Sequence, residues 1–288
     1  MYIVLPSGLT IGGRAQDLII TDWDDSGVAY DSTDVTIPNR SGLYPGRDRL
    51  TERTHTFTIR TGRNVRTLAH AQELADRLTA EWAAGAALPP GETFPLLIET
   101  RPDRRRRIFG RPRKITALVP DVRAQQGGVE LLAEFGQTDP ISYSETDEVF
   151  SISVLPEQAG GLRTPLLAPL KTVIWGGVGY RFVNNTGDAA ARMTVRFIGP
   201  CKNPSVIVNG QRVAINKTLA FDEQITVDGR TGKVTNQDGA NVSRYLTART
   251  RLDALQLSPG QHEVSFTAED STQTARAELI FASAFNNI

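Results

Sequence analysis

Three histidines (His55, His70, His262) and one thiol (Cys201) are the residue types best suited to proton transfer, metal ligation or nucleophilic attack. Their spacing argues against all three. No His has a second His or Cys at ligand distance, and His262-Glu263 lacks the later His of a zinc-protease helix. Cys201 reads as a small buried hydrophobe, and a single cysteine excludes an internal disulfide framework. Asp22, Asp24 and Asp25 cluster, but the glycine and closing glutamate of a calcium loop are missing, so residues 24–27 read as a solvated turn. The glycine-rich stretch Trp175-Gly176-Gly177-Val178-Gly179-Tyr180 has no Gly-Lys-Ser/Thr ending and no helical pattern after it. It predicts a tight turn between strands, not a phosphate cradle. No Gly-x-Ser-x-Gly elbow occurs, and Asp228 reads as a turn acceptor. The expectation is a chain without catalytic residues, cofactor or metal.

The strongest charged feature is residues 101–114 (RPDRRRRIFGRPRK), where Arg101, Arg104, Arg105, Arg106, Arg107, Arg111, Arg113 and Lys114 stand against one acid. Arg101-Pro102-Asp103 predicts a turn, which puts residues 104–107 at or near a hairpin tip. Such a cluster is either a solvated tip or a positive rim facing an acidic partner or passing nucleic acid. It lacks the interleaved aromatics of a single-strand platform. The chain as a whole has 32 basic and 32 acidic residues, which argues against nucleic-acid binding by global charge.

These residues must be placed by strands and one helix. The opening stretch MYIVLPSGLTIGG has no basic n-region and no long apolar run; it predicts a first strand at residues 2–5, with no signal peptide. No apolar run is long enough to span a bilayer. A short strand is expected at 17–23. Residues 39–49 (NRSGLYPGRDR) read as an exposed loop that could order only against a partner. Residues 50–60 alternate His55, Phe57 and Ile59 against Thr54, Thr56 and Thr58, a strand signature. One helix is predicted over residues 65–84: Leu68, Ala71, Ala75, Leu78 and Trp82 recur at helical spacing, with Asn64 as its cap and Gly85 and Pro89-Pro90 as its end. Strands follow at 94–100, 108–118 and 129–135. This predicts a β domain with one helix over residues 1–150, closing near Asp139-Pro140.

Residues 155–171 hold three prolines and two glycines and read as a linker or crossing segment. From 172 to 288 the chain repeats turn dipeptides, Asn209-Gly210, Asp228-Gly229, Asp238-Gly239 and Pro259-Gly260, between alternating runs such as 192–198 and 274–281. That cadence predicts an antiparallel β-sandwich.

The order of parts, with Gly110-Arg111-Pro112-Arg113-Lys114, the strand at 129–135, Asp139-Pro140, Tyr143, Asn203-Pro204, Asp228-Gly229 and Leu257-Ser258-Pro259-Gly260, resembles the distal tail proteins of siphophages, the long non-contractile-tailed bacteriophages. The resemblance covers nearly the whole chain. It implies a mainly β fold: an N-terminal belt domain, a split β-barrel with one α-helix, and a C-terminal galectin-like β-sandwich. It implies a homo-oligomer, a hexameric ring at the tail tip in the virion, assembled in the host cytoplasm without membrane insertion. Its partners would be the tail tube protein, the hub and receptor-binding proteins and the tape measure protein, with DNA passing transiently through the lumen. Ring-interface candidates are Arg40, Leu43, Tyr44 and Arg47 in the 39–49 loop and Trp82 on the helix. The basic tract would line the lumen or dock the tube or hub. Galectin's His-x-Asn-x-Arg and Trp-x-x-Glu patterns are absent, since His262 precedes Glu-Val-Ser and Trp175 precedes Gly-Gly-Val. The rival expectation is a carbohydrate-binding adhesin module, which an exposed aromatic platform near Trp175 and Tyr180 would favour.

Overall fold

The structure, a computed structural model, describes residues 1–13, 15–117, 128–154, 179–270, 272 and 274–288. The expected linker at 155–171 and the glycine-rich stretch up to Val178 lie outside these residues. Two compact units divide the chain: Met1–Glu145 with Asn286–Ile288, and Thr146–Phe285. The sandwich domain was expected to run to residue 288. Instead Asn286–Ile288 belong to the first unit.

The first unit contains β1 (Tyr2–Val4), β2 (Thr10–Gly12), β3 (Leu18–Asp25), β4 (Tyr30–Asp31), β5 (Val35–Thr36), β6 (Leu43–Tyr44), β7 (Arg49–Leu50), β8 (Arg53–Thr61), helix α1 (Leu68–Ala86), β9 (Phe94–Arg101), β10 (Arg104–Ala117) and β11 (Glu130–Ser144). The main sheet runs β2-β1-β9-β10-β11-β8-β3, antiparallel throughout. Its edge strands β2 and β3 approach each other with no ladder between them among the described residues, so the sheet curls into a split barrel. Alternation supplies the interior: Phe57 and Ile59 from β8, Leu96 and Ile98 from β9, Ile108 from β10, and Leu131, Ala133 and Phe135 from β11. Leu78 and Trp82 of α1 close one side of this core.

Several expected boundaries shift, each for a local reason. The helix starts at Leu68, because Thr67 is its cap: its Oγ1 accepts from the His70 N–H at 3.3 Å. Asn64 instead donates its side-chain amide to the Ala15 carbonyl at 3.1 Å. Gly85 lies inside the last turn and does not stop the helix; a Cβ there would sit 2.6 Å from Phe94 Cδ2 and 2.8 Å from Pro112 Cγ. Strand β3 continues through Asp24 and Asp25. A bulge between Ile20 and Asp22 turns Trp23 and Asp25 toward the face of β8 that carries His55 and Phe57. The polar turn begins only there, with the Gly27 N–H donating to Asp25 Oδ1 at 3.0 Å. Strand β11 does not close at Asp139-Pro140 but runs to Ser144. Register shifts flank the Phe109–Asp139 pair, so Pro140, which has no N–H, falls where the ladder is already irregular.

The second unit contains β12 (Glu148–Ser153), β13 (Gly179–Asn185), β14 (Ala191–Ile198), β15 (Cys201–Val208), β16 (Gln211–Ala214), β17 (Thr218–Leu219), β18 (Gln224–Asp228), β19 (Val234–Asn236), β20 (Gln256–Leu257), β21 (Gly260–Glu269) and β22 (Arg276–Phe281). They form two antiparallel sheets, β12-β22-β14-β18-β19 with β20 on β14, and β13-β21-β15-β16 with β17 on β15. Phe197 of one sheet meets Phe266 of the other at 6.3 Å between ring centroids, in the core of a β-sandwich. The turn ladder is more varied than its dipeptides suggest. Asn209-Gly210 is a two-residue hairpin with both φ positive, at 50° and 73°. At Asp228 the loop is longer: the carboxylate accepts from the Arg230 N–H at 2.8 Å and the Thr231 hydroxyl at 2.6 Å. Among the described residues no helix is long and apolar enough to cross a membrane.

Candidate functional site

The basic tract is less of a free positive rim than its sequence suggests. Only Pro102 and Asp103 form the hairpin tip; residues 104–107 lie in β10, paired with β9 from Arg104↔Arg101 onward. A strand sends alternate side chains to opposite faces. Arg105 and Arg107 fall on the face of Glu99 and Leu97, whereas Arg104 and Arg106 share the face of Ile98 and Ile108. Arg105 is held at 2.6 Å by Glu99 and at 3.4 Å by Glu145, and the Glu99 bond raises its pKa. Arg107 stacks over Phe109 at 5.4 Å, and Phe109 meets Tyr143 edge-on at 5.6 Å. Arg111 donates to the carbonyls of Glu92 and Pro89, clamping the turn between α1 and β9. Arg113 pairs with Glu52 at 2.6 Å. Arg101 and Lys114 are exposed and make no side-chain ion pair among the described residues.

Trp82 leaves the list of surface candidates. It is 3 % exposed, and its indole N–H donates to the carbonyls of Lys114 at 3.1 Å and Glu134 at 3.3 Å. Those carbonyls lie at the bulge between β10 and β11, so Trp82 pins the helix onto the barrel.

The expected loop at 39–49 is part of an exposed arm, residues 26–52, that leaves the barrel after β3 and returns into β8. Two short ladders order it, β4 with β7 and β5 with β6. Leu43 pairs with Thr36 and Tyr44 with Val35. Tyr44 is 70 % exposed, Tyr30 and Val35 65 %, and Leu43 58 %. Arg40 and Arg47 are exposed beside them. The Arg47 N–H donates to Thr33 Oγ1 at 3.0 Å, and the Gly46 N–H to Asp34 Oδ1 at 2.7 Å. The arm therefore has polar internal bonds and an apolar surface with no core of its own.

At its root stands a buried polar cluster that motif searching missed. Arg53 is paired with Asp25, and also donates to the Asn286 carbonyl at 3.1 Å. His55 Nε2 faces Gln137 Oε1 at 2.9 Å, and Tyr143 donates to Asp139 Oδ2 at 2.8 Å. Burial lowers the His55 pKa, against the opposing effects of the Gln137 bond and the Asp25 charge. One signal was available: Arg53 continues the odd-numbered face of His55, Phe57 and Ile59, so a cation was due in the core and required a partner.

In the second unit, Tyr180 and Phe182 on β13 are 60 % and 53 % exposed and meet edge to face at 6.3 Å. Their cross-strand neighbours on β21 are Ser265 and Glu263. Trp175 lies outside the described residues. Cys201 is buried, and no group of His, Cys, Asp and Glu among the described residues could hold a metal.

Residues 186–284 match the family described as siphovirus-type tail component, C-terminal domain. The whole chain is similar to the crystal structure of the Dit protein of phage SPP1, described as a paradigm of the hub adsorption apparatus in phages infecting Gram-positive hosts. The TM-score is 0.61 at 14% identity, covering 99% of this chain and 98% of that one. It is also similar to chains of the phage P2 baseplate in its activated conformation, with Ca (TM-score 0.53, 10% identity, 94% of this chain and 98% of that one) and with Sr (0.52, 11%, 94% and 98%). No curated protein matches the chain. At these identities the structural likeness is one of fold, while the family match rests on the sequence of the second unit. Residues 186–284 thus match a siphovirus-type tail component domain, and the chain as a whole has the fold of the SPP1 Dit protein.

Proposed function

We propose that this chain is a structural subunit of a long non-contractile phage tail. It assembles as a hexameric ring at the distal tail end and joins the tail tube to the baseplate hub and receptor-binding proteins. The lumen passes DNA, and the tape measure protein ends against the ring. The role is one of assembly rather than catalysis, in keeping with a family of tail components. Its place is the virion tail tip, after assembly in the host cytoplasm.

The observation that carries assembly is the arm. Ladders of two residue pairs are marginal alone in water, and four large apolar side chains over half exposed favour burial against another surface. A neighbouring copy is the partner that a closed ring supplies. Arg101 and Lys114 are the cations available for docking the tube, the hub or an acidic tape measure segment. The test is the mass of the purified chain by light scattering, with negative-stain images. A six-fold ring is expected, and Leu43→Ser with Tyr44→Ser should reduce it to smaller species without lowering the melting temperature. Rings unaffected by those changes would overturn the arm's role. A strict monomer on isolated tail tips would overturn the ring.

A second reading has one observation in its favour. Tyr180 and Phe182 present exposed rings beside the Glu263 carboxylate, a combination suited to a saccharide face and its hydroxyls. Glycan-array binding by the intact chain, lost in Tyr180→Ala and Phe182→Ala, would support it. An array without signal would remove it.

A further inference from the structure

We propose that Arg53 is a latch tying the root of the arm to the last residues of the chain, so that the order of the arm depends on Asn286–Ile288. The arm departs after Asp25 and returns at Arg53, and its root is closed by the Ser26 N–H to the Thr54 carbonyl at 3.0 Å and the Thr54 N–H to Ser26 Oγ at 2.9 Å. Across that root the Arg53 guanidinium forks onto both oxygens of Asp25. Its remaining edge donates to the Asn286 carbonyl at 3.1 Å. A guanidinium is a rigid planar donor set, so a contact on one edge fixes the aim of the other.

The segment it holds is itself anchored at each residue. The Asn287 carbonyl accepts from Ser142 Oγ at 2.8 Å, and Ile288 packs into the barrel core. These residues follow directly on Phe285, the last residue of the second unit. The Asn286 carbonyl is the first acceptor of this segment after Phe285 and is the one that the guanidinium uses. Losing that acceptor leaves a charged donor edge unpaired on a side chain only 4 % exposed, and the fork on Asp25 must re-aim to satisfy it. Beyond this root the arm is held by short ladders, a few side-chain-to-backbone bonds and the Arg113–Glu52 pair, and its apolar side chains find no core. It belongs to the low-stability end of the molecule, where loss of one root contact converts into opening. The latch holds whether or not the arm meets another copy, so its test is separable from that of the ring.

The test is amide hydrogen exchange on the full chain below its association concentration, comparing arm residues 26–54 with α1 as an internal control. Deleting Asn286–Ile288 should raise exchange in the arm about tenfold or more while α1 stays protected. Arg53→Met should do the same, and the combined change should add little to either alone. An arm unchanged by the deletion, or fully additive effects, would overturn the latch. If the shortened chain fails to fold, Ser142→Ala decides. Faster exchange in the arm supports the latch, and faster exchange confined to Asn287 and Ile288 overturns it.

Discussion

His55 Nε2 and Gln137 Oε1 lie 2.9 Å apart, and the direction of that bond follows from its surroundings. The Gln137 amide already donates to the carbonyls of Asp139 at 2.7 Å and Ile141 at 3.2 Å, so its oxygen faces the ring and His55 is the donor. Nε2 thus carries a proton, on a ring stacked between Trp23 and Phe57, with Nδ1 lying 3.7 Å from Asp25 Oδ1.

A pH dependence follows from the burial of this ring. Burial lowers the His55 pKa from 6.5, the Gln137 bond and the Asp25 charge work against that shift, and the Arg53 charge adds to it. The unfolded chain then binds a proton at a pH where the folded chain does not. Stability is full above pH 6.5 and falls as pH drops below it, by at most about 1.4 kcal/mol per pH unit for one proton. The losses from Glu223 and Asp270, whose pKa values are lowered from 4.5 and 3.8, begin only at more acid pH. Thermal melts from pH 7.5 to 5 should show a decline that flattens in His55→Gln. An equal slope in both proteins would refute the assignment.

The same cluster shows where sequence reading reached its limit. Alternation in residues 50–60 put His55, Phe57 and Ile59 on one face, and the structure keeps them there. That Asp25 would pair with Arg53 depended on a bulge at Thr21, and a single-residue register change leaves no trace in composition. Trp82 fits the helical stripe, yet the sequence reading places it among the ring-interface candidates; its indole partners are backbone carbonyls at another bulge, which side-chain identities do not reveal. Residues 101–114 drew attention as a charge run. Their acids, Glu99, Glu145 and Glu52, are distant or unremarkable in sequence and become neighbours only through antiparallel pairing and folding.

Trp82 separates a packing role from an interface role. Trp82→Ala removes a fully packed ring and two hydrogen bonds, at a cost of about 3–5 kcal/mol. Trp82→Phe keeps most of the volume but leaves the Lys114 and Glu134 carbonyls without the indole, at about 1–2 kcal/mol. Urea unfolding should rank the wild type, Phe and Ala in that order of stability. A Trp82→Ala protein as stable as the wild type yet unable to associate would restore the interface role.

Gly85 sets two effects against each other. An alanine in a helix interior gains about 1 kcal/mol over glycine. Here the added methyl would meet Phe94 at 2.6 Å and Pro112 at 2.8 Å, both ring atoms in the packed seam between α1 and the barrel. Overpacking costs about 1–3 kcal/mol, so the net change is a loss of up to about 2 kcal/mol. Gly85→Ala should lower the melting temperature. A rise would mean that the seam relaxes around the methyl.

Cys201 offers a reporter confined to the second unit, because it is the chain's single cysteine and lies on β15 against Leu219 of β17. Burial, with a further contribution from the Asp270 charge, pushes its pKa from 9.0 to about 12. The folded thiol is then about a thousandfold poorer in thiolate than a free one, and labelling must wait for the unit to open. Asp270, whose charge acts on the thiol, is itself fixed: its carboxylate accepts from the Thr272 N–H and hydroxyl, each at 2.7 Å, and from the Ala275 N–H at 2.8 Å. Asp270→Ala removes both the nearby charge and these bonds to a charged acceptor, a loss of about 1–3 kcal/mol. Labelling by a thiol reagent at pH 8 should therefore accelerate about tenfold or more in Asp270→Ala and stay unchanged in Trp82→Phe, which alters only the first unit. Acceleration by Trp82→Phe as well would mean that the two units open together.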